Sequence, residues 1–294
     1  MSQESFGVAV VTCNRLNLLK ECVDAINGQT VPFQKVVIVN NNSNDGTKQF
    51  LDEIEDKRYQ IVHSAQNLGG AGGFSLALEQ FCDMTTDWVL IIDDDAIIRK
   101  NFIEEIDNQI QNFNGKYLAY SGVVLEEGKP NILHRKEVVK NDVLGVPVPL
   151  EQYDKETFEC GVASFCGLLI HTSLLKKIGL PKKEYFIWHD DTEYSLRINS
   201  ISKILNVNTA VLDHKRKPGA SDIHDWKNYY GFRNELDLFR RYSKCQYYKE
   251  ILKMKVRLFK AKKNKDFRLA EIYSAVLKDN AKHRLGINEE FLPK

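Results

Sequence analysis

The sequence predicts an α/β protein with a mostly parallel central sheet, followed by a C-terminal helical extension. Short apolar runs rich in β-branched residues alternate with helix-like segments through the first hundred residues, which is typical of a parallel sheet covered on both faces. Each of the first four apolar runs is followed at once by a polar or glycine-rich cluster. From about Trp226 onward the pattern is helical. We therefore expect a sheet domain over residues 1–225 and a basic helical extension over 226–294.

Strands and helices alternate through the first half of the chain. Strands are predicted for the apolar runs at 7–12, 35–40, 59–63 and 88–92. Helices are predicted where apolar residues recur every three or four positions, at 16–26 before Gly28, 47–56 and 74–84.

The second half is less regular. Strands are predicted at 117–125, 165–170 and 204–212. The charged segment 126–157, which contains two prolines, is predicted to be an excursion over the surface.

The overall composition excludes several classes of protein. The 41 Lys and Arg residues balance 40 Asp and Glu residues, so we expect no nucleic-acid partner. No run approaches the roughly 18–20 apolar residues that span a bilayer. The N-terminal residues lack the basic region of a signal peptide, and we expect a cytoplasmic location. The six cysteines form no CxxC pair, and we expect them to be reduced thiols in the core.

Polar clusters follow four consecutive predicted strands. In chain order they read TCNR, NNNSNDGT, QNLGGAGG and DDDA. The carboxyl ends of parallel strands meet at one edge of an open sheet, where ligands bind. Core packing does not explain four such clusters, so we expect a binding site at this edge.

Three consecutive carboxylates follow the fourth strand. In an extended segment Asp93 and Asp95 point to the same side, whereas Asp94 points away. Burying three acids costs several kcal/mol unless a partner compensates them. Mg²⁺ or Mn²⁺ could do so and bridge to a diphosphate. His214, after the last predicted strand, is a candidate third ligand; the alternatives are turn or capping acids and a purely structural histidine.

The glycine-rich segment Asn67–Phe74 reads NLGGAGGF. Its glycines would let a ligand approach the backbone and would open a helix. The segment is neither a GxGxxG fingerprint after the first strand nor a P-loop. A simple turn at the start of a helix explains it equally well.

A second acid pair, Asp190 and Asp191, follows the aromatic residues of FIWH. Burial raises a carboxylate pKa toward the range of a general base, and an aromatic side chain could stack on a sugar ring. The alternative is that the two acids cap or begin the helix predicted to follow them.

In this order, the motifs TCNR, NNNSNDGT, NLGGAGGF, WVLIIDDDA, FIWHDDTEYSLR, VLDH and YYGFRN resemble inverting family 2 glycosyltransferases of the GT-A fold. The closest resemblance is to bacterial galactofuranosyltransferases, and it covers about residues 6–240. It implies metal-dependent transfer from a nucleotide-sugar donor, with UDP-galactofuranose preferred over dTDP-rhamnose and UDP-hexopyranoses. It also implies a cell-surface glycan acceptor on a lipid carrier.

The resemblance also implies roles for individual residues. The expected metal ligands, for Mn²⁺ or Mg²⁺, are Asp93, Asp95 and His214. Asp191 matches the catalytic base, with Asp190 as its neighbour. The expected donor-binding residues are Thr12, Arg15, Asn41, Asp45, Asn67, Gly70 and Asp94. The expected acceptor-binding residues are Trp188, His189 and His224.

A nucleotidyltransferase is the alternative from a different class of enzyme, because it too combines a nucleotide-binding α/β sheet with carboxylate-held Mg²⁺. Its usual basic, glycine-rich loop near the first strand has no counterpart in TCNRLN.

Residues 241–270 are strongly basic, with 11 Lys or Arg against 2 Asp or Glu. An apolar stripe at 4-3-4 spacing runs through them: Tyr247, Ile251, Met254 and Leu258. One interpretation is peripheral docking on anionic lipid at the inner face of the cell membrane. The other is a solvated basic helix that packs on the domain through this stripe.

Overall fold

A ten-stranded sheet forms the centre of the computed structural model, which describes residues 4–140, 142–215 and 226–293. The strands are β1 (Phe6–Thr12), β2 (Lys35–Asn40), β3 (Tyr59–His63), β4 (Trp88–Asp93), β5 (Ala96–Ile98), β6 (Ala119–Glu126), β7 (Lys129–Pro130), β8 (Arg135–Val139), β9 (Asp142–Pro147), β10 (Thr157–Cys160), β11 (Val162–Ala163), β12 (Leu168–His171) and β13 (Ile204–His214). The helices are α1 (Leu16–Asn27), α2 (Thr47–Asp52), α3 (Gly69–Glu79), α4 (Phe102–Phe113), α5 (Ser173–Ile178), α6 (Asp190–Asn199), α7 (Trp226–Tyr242), α8 (Lys244–Lys263) and α9 (Phe267–Ala281).

Most of the long strands run in one direction. The sheet order is β10–β13–β6–β12–β4–β1–β2–β3. The pairs formed by β1 to β4 are parallel, and β12 runs antiparallel between β4 and β6. Because β13 is parallel to β6, both point the same way as β1 to β4. The mostly parallel sheet predicted from the sequence is therefore confirmed, with β12 as the reversed strand.

Apolar side chains cover both faces of the sheet. Val8 and Val10 of β1 enter one buried cluster with α1 and α4, whereas Ala9 and Val11 enter a second cluster with α3, α5 and α6. Successive strand residues point to opposite faces, so a strand that is apolar throughout requires this two-sided cover.

The carboxyl ends of several strands meet at one edge of the sheet. Val11 pairs with Asp93, and Ala96 pairs with His214. The reversed strand β12 begins at the same edge, since Leu168 pairs with Ile91. The acids after β4 and the histidine at the end of β13 are therefore neighbours, as the predicted site requires.

Helix α3 begins within the glycine-rich segment, five residues earlier than the helix predicted at 74–84. A Cβ on Gly69, whose φ is +68°, would lie 2.0 Å from the carbonyl oxygen of Phe186. A Cβ on Gly73 would lie 2.5 Å from Val11 Cγ1. The glycines thus form the first turn of the helix because the backbone packs too closely for side chains.

The segment at 126–157 is more than a surface excursion. It contributes β8 and β9 to a three-stranded sheet with β11, and its Arg135 is fully buried. The guanidinium of Arg135 donates hydrogen bonds to the carbonyl oxygens of Gly122 and Cys166 and to Asn206 Oδ1. These long-range partners, which local sequence does not reveal, make the burial of a charge possible.

Helices α7, α8 and α9 share a third buried apolar cluster, which includes Phe186. The stripe predicted on α8 faces this cluster: Met254 is buried, and Ile251 and Leu258 pack against the cluster. Tyr247 Oη accepts a hydrogen bond from α9. The predicted stripe is therefore the packed face of α8, and the domain boundary at 225 and 226 stays a prediction.

None of the helices within the described ranges is both long enough and apolar enough to cross a bilayer.

Candidate active site

The triple carboxylate lies where β1 and β4 end side by side. Thr12 Oγ1 donates a hydrogen bond to Asp94 Oδ2 at 2.7 Å. Arg15 Nη1 lies 3.1 Å from Asp94 Oδ1 and 2.5 Å from Asp95 Oδ2. Asp94 and Asp95 are buried, whereas Asp93 is partly exposed. Two of the donor-binding candidates, Thr12 and Arg15, thus hold the carboxylates directly.

The three acids differ in their protonation. Burial and the charges of Asp95 and Asp94 raise the pKa of Asp93 to about 7. Burial raises the pKa of Asp94 to about 6, against the opposing charge of Arg15. Burial would also raise the pKa of Asp95, but contact with His214 and the charge of Arg15 hold it below its usual range. The three acids therefore carry more negative charge than Arg15 alone neutralises, and His214 is the second cation beside them.

His214 lies between Asp95 at the acidic edge and the carboxylate of Glu126. Its Nε2 lies 3.3 Å from Asp95 Oδ1, and its Nδ1 lies 2.8 Å from Glu126 Oε1. Glu126 Oε1 is 3.3 Å from His134 Nε2. Burial would lower the pKa of His214, but its contacts with Asp95 and Glu126 raise that pKa to about 9.

The residues at this edge fit a divalent cation. Asp95 Oδ1 is buried and makes no hydrogen bond among the described residues, although buried polar atoms normally have a partner. Carboxylate oxygen suits Mn²⁺ and Mg²⁺, and histidine is a common metal ligand. The candidate donor set is Asp93, Asp95 and the Nε2 atom of His214.

Glu126 and His134 were missed by the sequence analysis. Ligand atoms of Glu126, His134 and His214 lie within 4.8 Å of one another. Because Glu126 bonds to His214 Nδ1, the Nε2 atom is left to face Asp95, which is the arrangement of a carboxylate that orients a metal-binding histidine. The signal was weak, because both residues flank a charged segment that resembles ordinary surface.

The loop before Asp190 has an unusual backbone. Phe186, Trp188 and His189 have φ values of 65°, 65° and 67°, a region that few residues other than glycine adopt. Helix α6 then begins at Asp190. The acid pair therefore occupies the first turn of a helix, as the capping alternative predicted, where the helix dipole favours negative charge.

The first acid of this pair, Asp190, is within electrostatic reach of Asp93. Burial and the charge of Asp191 raise the pKa of Asp190 well above its usual range, and the charge of Asp93 adds to the rise. Burial raises the pKa of Asp191 as well. Asp191 Oδ1 accepts hydrogen bonds from the N–H and Oγ1 of Thr192 at 2.5 and 3.1 Å. The two acidic stretches thus lie within electrostatic range of one another.

The candidate acceptor-binding residues lie on different sides of this loop. Trp188 is 41% exposed and packs against α7, where a Cβ on Gly231 would lie 2.7 Å from Trp188 Cε3. Burial lowers the pKa of His189 to about 4, so its ring is neutral at pH 7. His224 lies outside the described residues.

Asn41 and Asn67 position the start of the glycine-rich helix. Asn41 Oδ1 accepts a hydrogen bond from the Leu68 N–H at 2.8 Å, and its Nδ2 donates to the Gly69 carbonyl at 3.0 Å and to Asn67 Oδ1 at 3.1 Å. The Ala71 N–H then donates to the carbonyl of Phe186 at 3.1 Å. The donor-side asparagines thus support the loop that leads to the second acid pair.

The two remaining donor candidates differ in their surroundings. Asp45 accepts hydrogen bonds from the Leu16 N–H at 3.0 Å and from Thr47 Oγ1 at 2.6 Å, so its carboxylate holds the turn together. A Cβ on Gly70 would meet no atom within 4 Å, so Gly70 borders open space.

Two buried side chains of α7 hold the 184–189 loop. Asn234 Nδ2 donates hydrogen bonds to the carbonyls of Tyr185, Ile187 and Trp188 at 2.9, 3.0 and 3.0 Å. Arg233 Nη2 donates to the carbonyl of Tyr185 at 3.2 Å. The motif YYGFRN contributed to the family resemblance, but its last two residues were not among the predicted site residues. Two polar residues directly after the aromatic residues of YYGFRN were the available signal.

Comparison with known sequences identifies related transferases. A family model described as "Glycosyl transferase family 2" matches residues 7–179. Galactofuranosyltransferase GlfT1 of Mycobacterium tuberculosis is 27% identical over 211 residues, which cover 66% of this chain and 64% of that protein. The dTDP-rhamnosyl transferase RfbF of Shigella flexneri is 24% identical over 163 residues, which cover 55% of this chain and 53% of that protein. The chain therefore matches less than two thirds of the length of each of these relatives.

Solved structures share the fold. The structure of GalNAc-T7 with UDP, GalNAc and Mn²⁺ matches 81% of this chain and 48% of that chain, with a TM-score of 0.64 and 14% identity. The S. aureus TarS 1-349 complex with UDP-GlcNAc matches 95% of this chain and 92% of that chain, with a TM-score of 0.59 and 14% identity. This likeness confirms the fold class predicted from the sequence.

Proposed function

The chain belongs to glycosyl transferase family 2, and from this premise we propose that it moves a hexosyl group from a nucleotide-diphosphate sugar to a hydroxyl group. One observation carries the proposal: the Ala71 N–H donates a hydrogen bond to the Phe186 carbonyl at 3.1 Å, which joins the loop before the acid pair to the glycine-rich helix at the carboxyl edge of the sheet. The acidic cluster after β4 and the candidate base pair therefore border the same region of the molecule. We assign the donor to the acidic cluster after β4 and the acceptor to the pair Asp190 and Asp191.

Our preferred donor is UDP-galactofuranose. The support is the similarity to the mycobacterial galactofuranosyltransferase and the UDP bound in the structurally similar transferases. The similarity to a dTDP-rhamnosyl transferase favours rhamnosyl transfer as the second candidate. In either case Thr12 and Arg15 would face the diphosphate, and Asn41, Asp45, Asn67 and Gly70 would shape the nucleotide side.

We assign Asp93, Asp95 and His214 as the ligands of Mn²⁺ or Mg²⁺. When bound, such an ion supplies positive charge that stabilises the departing diphosphate. The residues of the chain prepare this site: Glu126 orients His214, and Arg15 contacts Asp95 Oδ2, so that Asp95 Oδ1 faces His214 Nε2.

We propose a single displacement with inversion. Asp191 accepts the proton of the acceptor hydroxyl as its oxygen forms a bond to the anomeric carbon. The bond from that carbon to the diphosphate oxygen breaks at the same time, and its electron pair leaves with the nucleotide. Arg15 is the protein cation beside the carboxylates on the leaving-group side.

The surroundings of Asp191 suit a general base. Its raised pKa strengthens it as a proton acceptor, and Thr192 fixes one carboxylate oxygen, so the other can face the acceptor. The pKa of the neighbouring Asp190 is also raised, by burial and by the charge of Asp191. Two negative charges at once are therefore disfavoured in this pair.

We propose that the acceptor is a hydroxyl group of a cell-surface glycan built on a lipid carrier, with Trp188 offering an exposed aromatic face to a sugar ring. His189 and His224 remain part of the acceptor proposal. Such an acceptor places the reaction at the cytoplasmic face of the membrane.

Product analysis tests the proposal. Purified protein is incubated with UDP-galactofuranose, dTDP-rhamnose or UDP-galactose and Mn²⁺, and the products are separated by ion-exchange chromatography. Release of UDP or dTDP supports sugar transfer, and the fastest donor identifies the specificity. Pyrophosphate as the product would instead indicate a nucleotidyltransferase.

A further inference from the structure

The outward face of α8 carries an exposed apolar stripe. Tyr248, Leu252, Val256 and Phe259 are 70%, 64%, 46% and 68% exposed. At about 100° per residue, their 4-4-3 spacing places all four within about a quarter of the helix circumference. We call these four residues the outer stripe. It lies opposite the packed face of α8, whose Met254 is buried.

The outer stripe differs from ordinary surface. Single exposed apolar residues are common, but a contiguous row of large ones indicates a binding surface. Helices α7 and α9 pack on the other side of α8, through the cluster that includes Met254. Among the residues that the structure describes, the outer stripe is therefore not used to pack the fold.

Exposed lysines border the outer stripe on both sides. By the same helical geometry, one border is formed by Lys249, Lys253 and Lys260, and the other by Lys244, Lys255 and Lys262. An apolar row between two rows of ammonium groups is the pattern of a helix that lies in a membrane interface. The apolar side chains would enter the acyl boundary while the lysine ammonium groups reach lipid phosphates.

A second copy of this chain is a poorer occupant. In a symmetric contact the same patch faces itself, which would bring the lysine borders of the two copies together. An anionic bilayer provides the opposite charge and a flat apolar layer at once.

We propose that the outer stripe and its lysine borders dock the protein on the surface of an anionic lipid bilayer. The proposal that the protein binds lipid depends on the residues of α8 alone. Its use, which is to bring the site to a lipid-linked acceptor, rests on the proposed function.

Vesicle flotation tests the docking. We expect the protein to float with phosphatidylcholine vesicles that contain about a third phosphatidylglycerol, not with pure phosphatidylcholine, and to be released by high salt. The double variant Leu252→Glu with Phe259→Glu should lower the vesicle-bound fraction by about tenfold or more. Leu150→Glu is the control, because Leu150 is also exposed, at 55%, and lies far along the chain from α8. The Leu150→Glu variant should bind vesicles as the wild type does. Circular dichroism melting establishes that each variant is folded.

Three results would overturn the docking proposal. The first is a wild type that does not float with anionic vesicles. The second is a double variant that floats as well as the wild type. The third is a dimer, detected by light scattering, that the double variant abolishes without any vesicle binding. Release of UDP or dTDP from UDP-galactofuranose, dTDP-rhamnose or UDP-galactose, measured without vesicles, separates the two proposals. If it persists while flotation fails, only the docking is wrong; if it is absent while flotation succeeds, only the proposed function is wrong.

Discussion

The side-chain amide of Asn234 donates a hydrogen bond to the carbonyl oxygen of Trp188, at a distance of 3.0 Å. A helix of the C-terminal extension thus fixes the backbone two residues before Asp190. The loop it holds contains three non-glycine residues with positive φ, a conformation that persists only where surrounding contacts impose it. The extension is therefore a structural component of the candidate active site.

Asn234→Ala should lower turnover more than it lowers donor affinity. Three carbonyls lose their donor, so the acid pair shifts, and misplacement of catalytic groups by about 1 Å can cost about 100-fold in rate. We expect turnover to fall about 10- to 100-fold, while the dissociation constant for UDP with Mn²⁺ changes little in calorimetry. Asn280→Ala is the matched control, because the Asn280 side chain bonds only to Tyr247 Oη among the described contacts. Equal losses in both variants would contradict a positioning role.

Alanine substitutions at Gly69 and Gly70 should have opposite effects on stability. A Cβ at Gly69 would meet the Phe186 carbonyl at 2.0 Å in a left-handed backbone, whereas a Cβ at Gly70 would meet nothing within 4 Å. We expect Gly69→Ala to destabilise the protein by about 1–3 kcal/mol. Gly70→Ala, within a helix, should stabilise it by about 0.5 kcal/mol. Urea denaturation measures both changes, and an unchanged midpoint for Gly69→Ala would show that the close packing is wrong.

Glu126→Gln should weaken metal binding without unfolding the site. The carboxylate accepts a hydrogen bond from His214 Nδ1, and loss of such an orienting group costs about 10- to 100-fold in metal affinity. Electron paramagnetic resonance titration of Mn²⁺ with the protein measures this directly, without any assay of turnover. Glu127→Gln changes the same charge at the exposed neighbouring position and should leave the affinity unchanged. If the two variants bind Mn²⁺ equally, Glu126 does not orient His214.

Without metal, stability should fall as the pH rises from about 5.5 to 8.5. The pKa of Asp93 is raised to about 7 and that of Asp94 to about 6, so between pH 4 and 7 these two carboxyls bind more protons in the folded protein than in the unfolded chain. Burial lowers the pKa of His134 and of His189 to about 4, and these two groups oppose the fall below pH 6.5. The pKa of His214 is raised to about 9, so its contribution is present below pH 6.5 and is lost as the pH rises through 9. The effects of the two carboxyls and of His214 both lower stability with rising pH.

Urea denaturation in EDTA at several pH values measures this slope. Asp93→Asn removes one of the titrating groups and should flatten the fall between pH 5.5 and 7.5 by on the order of 1 kcal/mol. A stability that rises over this range in the wild type would contradict the assigned electrostatics.

Local sequence was sufficient for seven of the strands, but not for β8 and β9 within the charged segment or for the long-range relations between strands. The runs before Asp93 and before His214 could be identified as strands because a strand buried on both faces must be apolar throughout. That β12 runs antiparallel depends on pairing with Ile91 and Tyr120, which periodicity does not encode. The early start of α3 likewise depends on the contact of Gly69 with Phe186.

The candidate site shows the same division. The acids could be identified because carboxylates that follow a buried apolar strand are costly to bury without a partner. Asn234, Glu126 and His134 were missed. Their importance comes from atoms that lie 8 to 88 positions away in the chain. For the predicted stripe of α8, which includes Met254, the sequence left packing and lipid docking as alternatives, and the packed cluster shows that this stripe is the buried one.

The most direct test of the account is a comparison of Asp191→Asn with the wild type, because the central claim is that this carboxylate deprotonates an acceptor beside the metal-held donor. UDP binding with Mn²⁺ is measured by calorimetry and sugar transfer by UDP release in the presence of acceptor. The account predicts a dissociation constant for UDP within about twofold of the wild type and turnover lower by about 10²- to 10⁴-fold. Unchanged turnover in Asp191→Asn would contradict it.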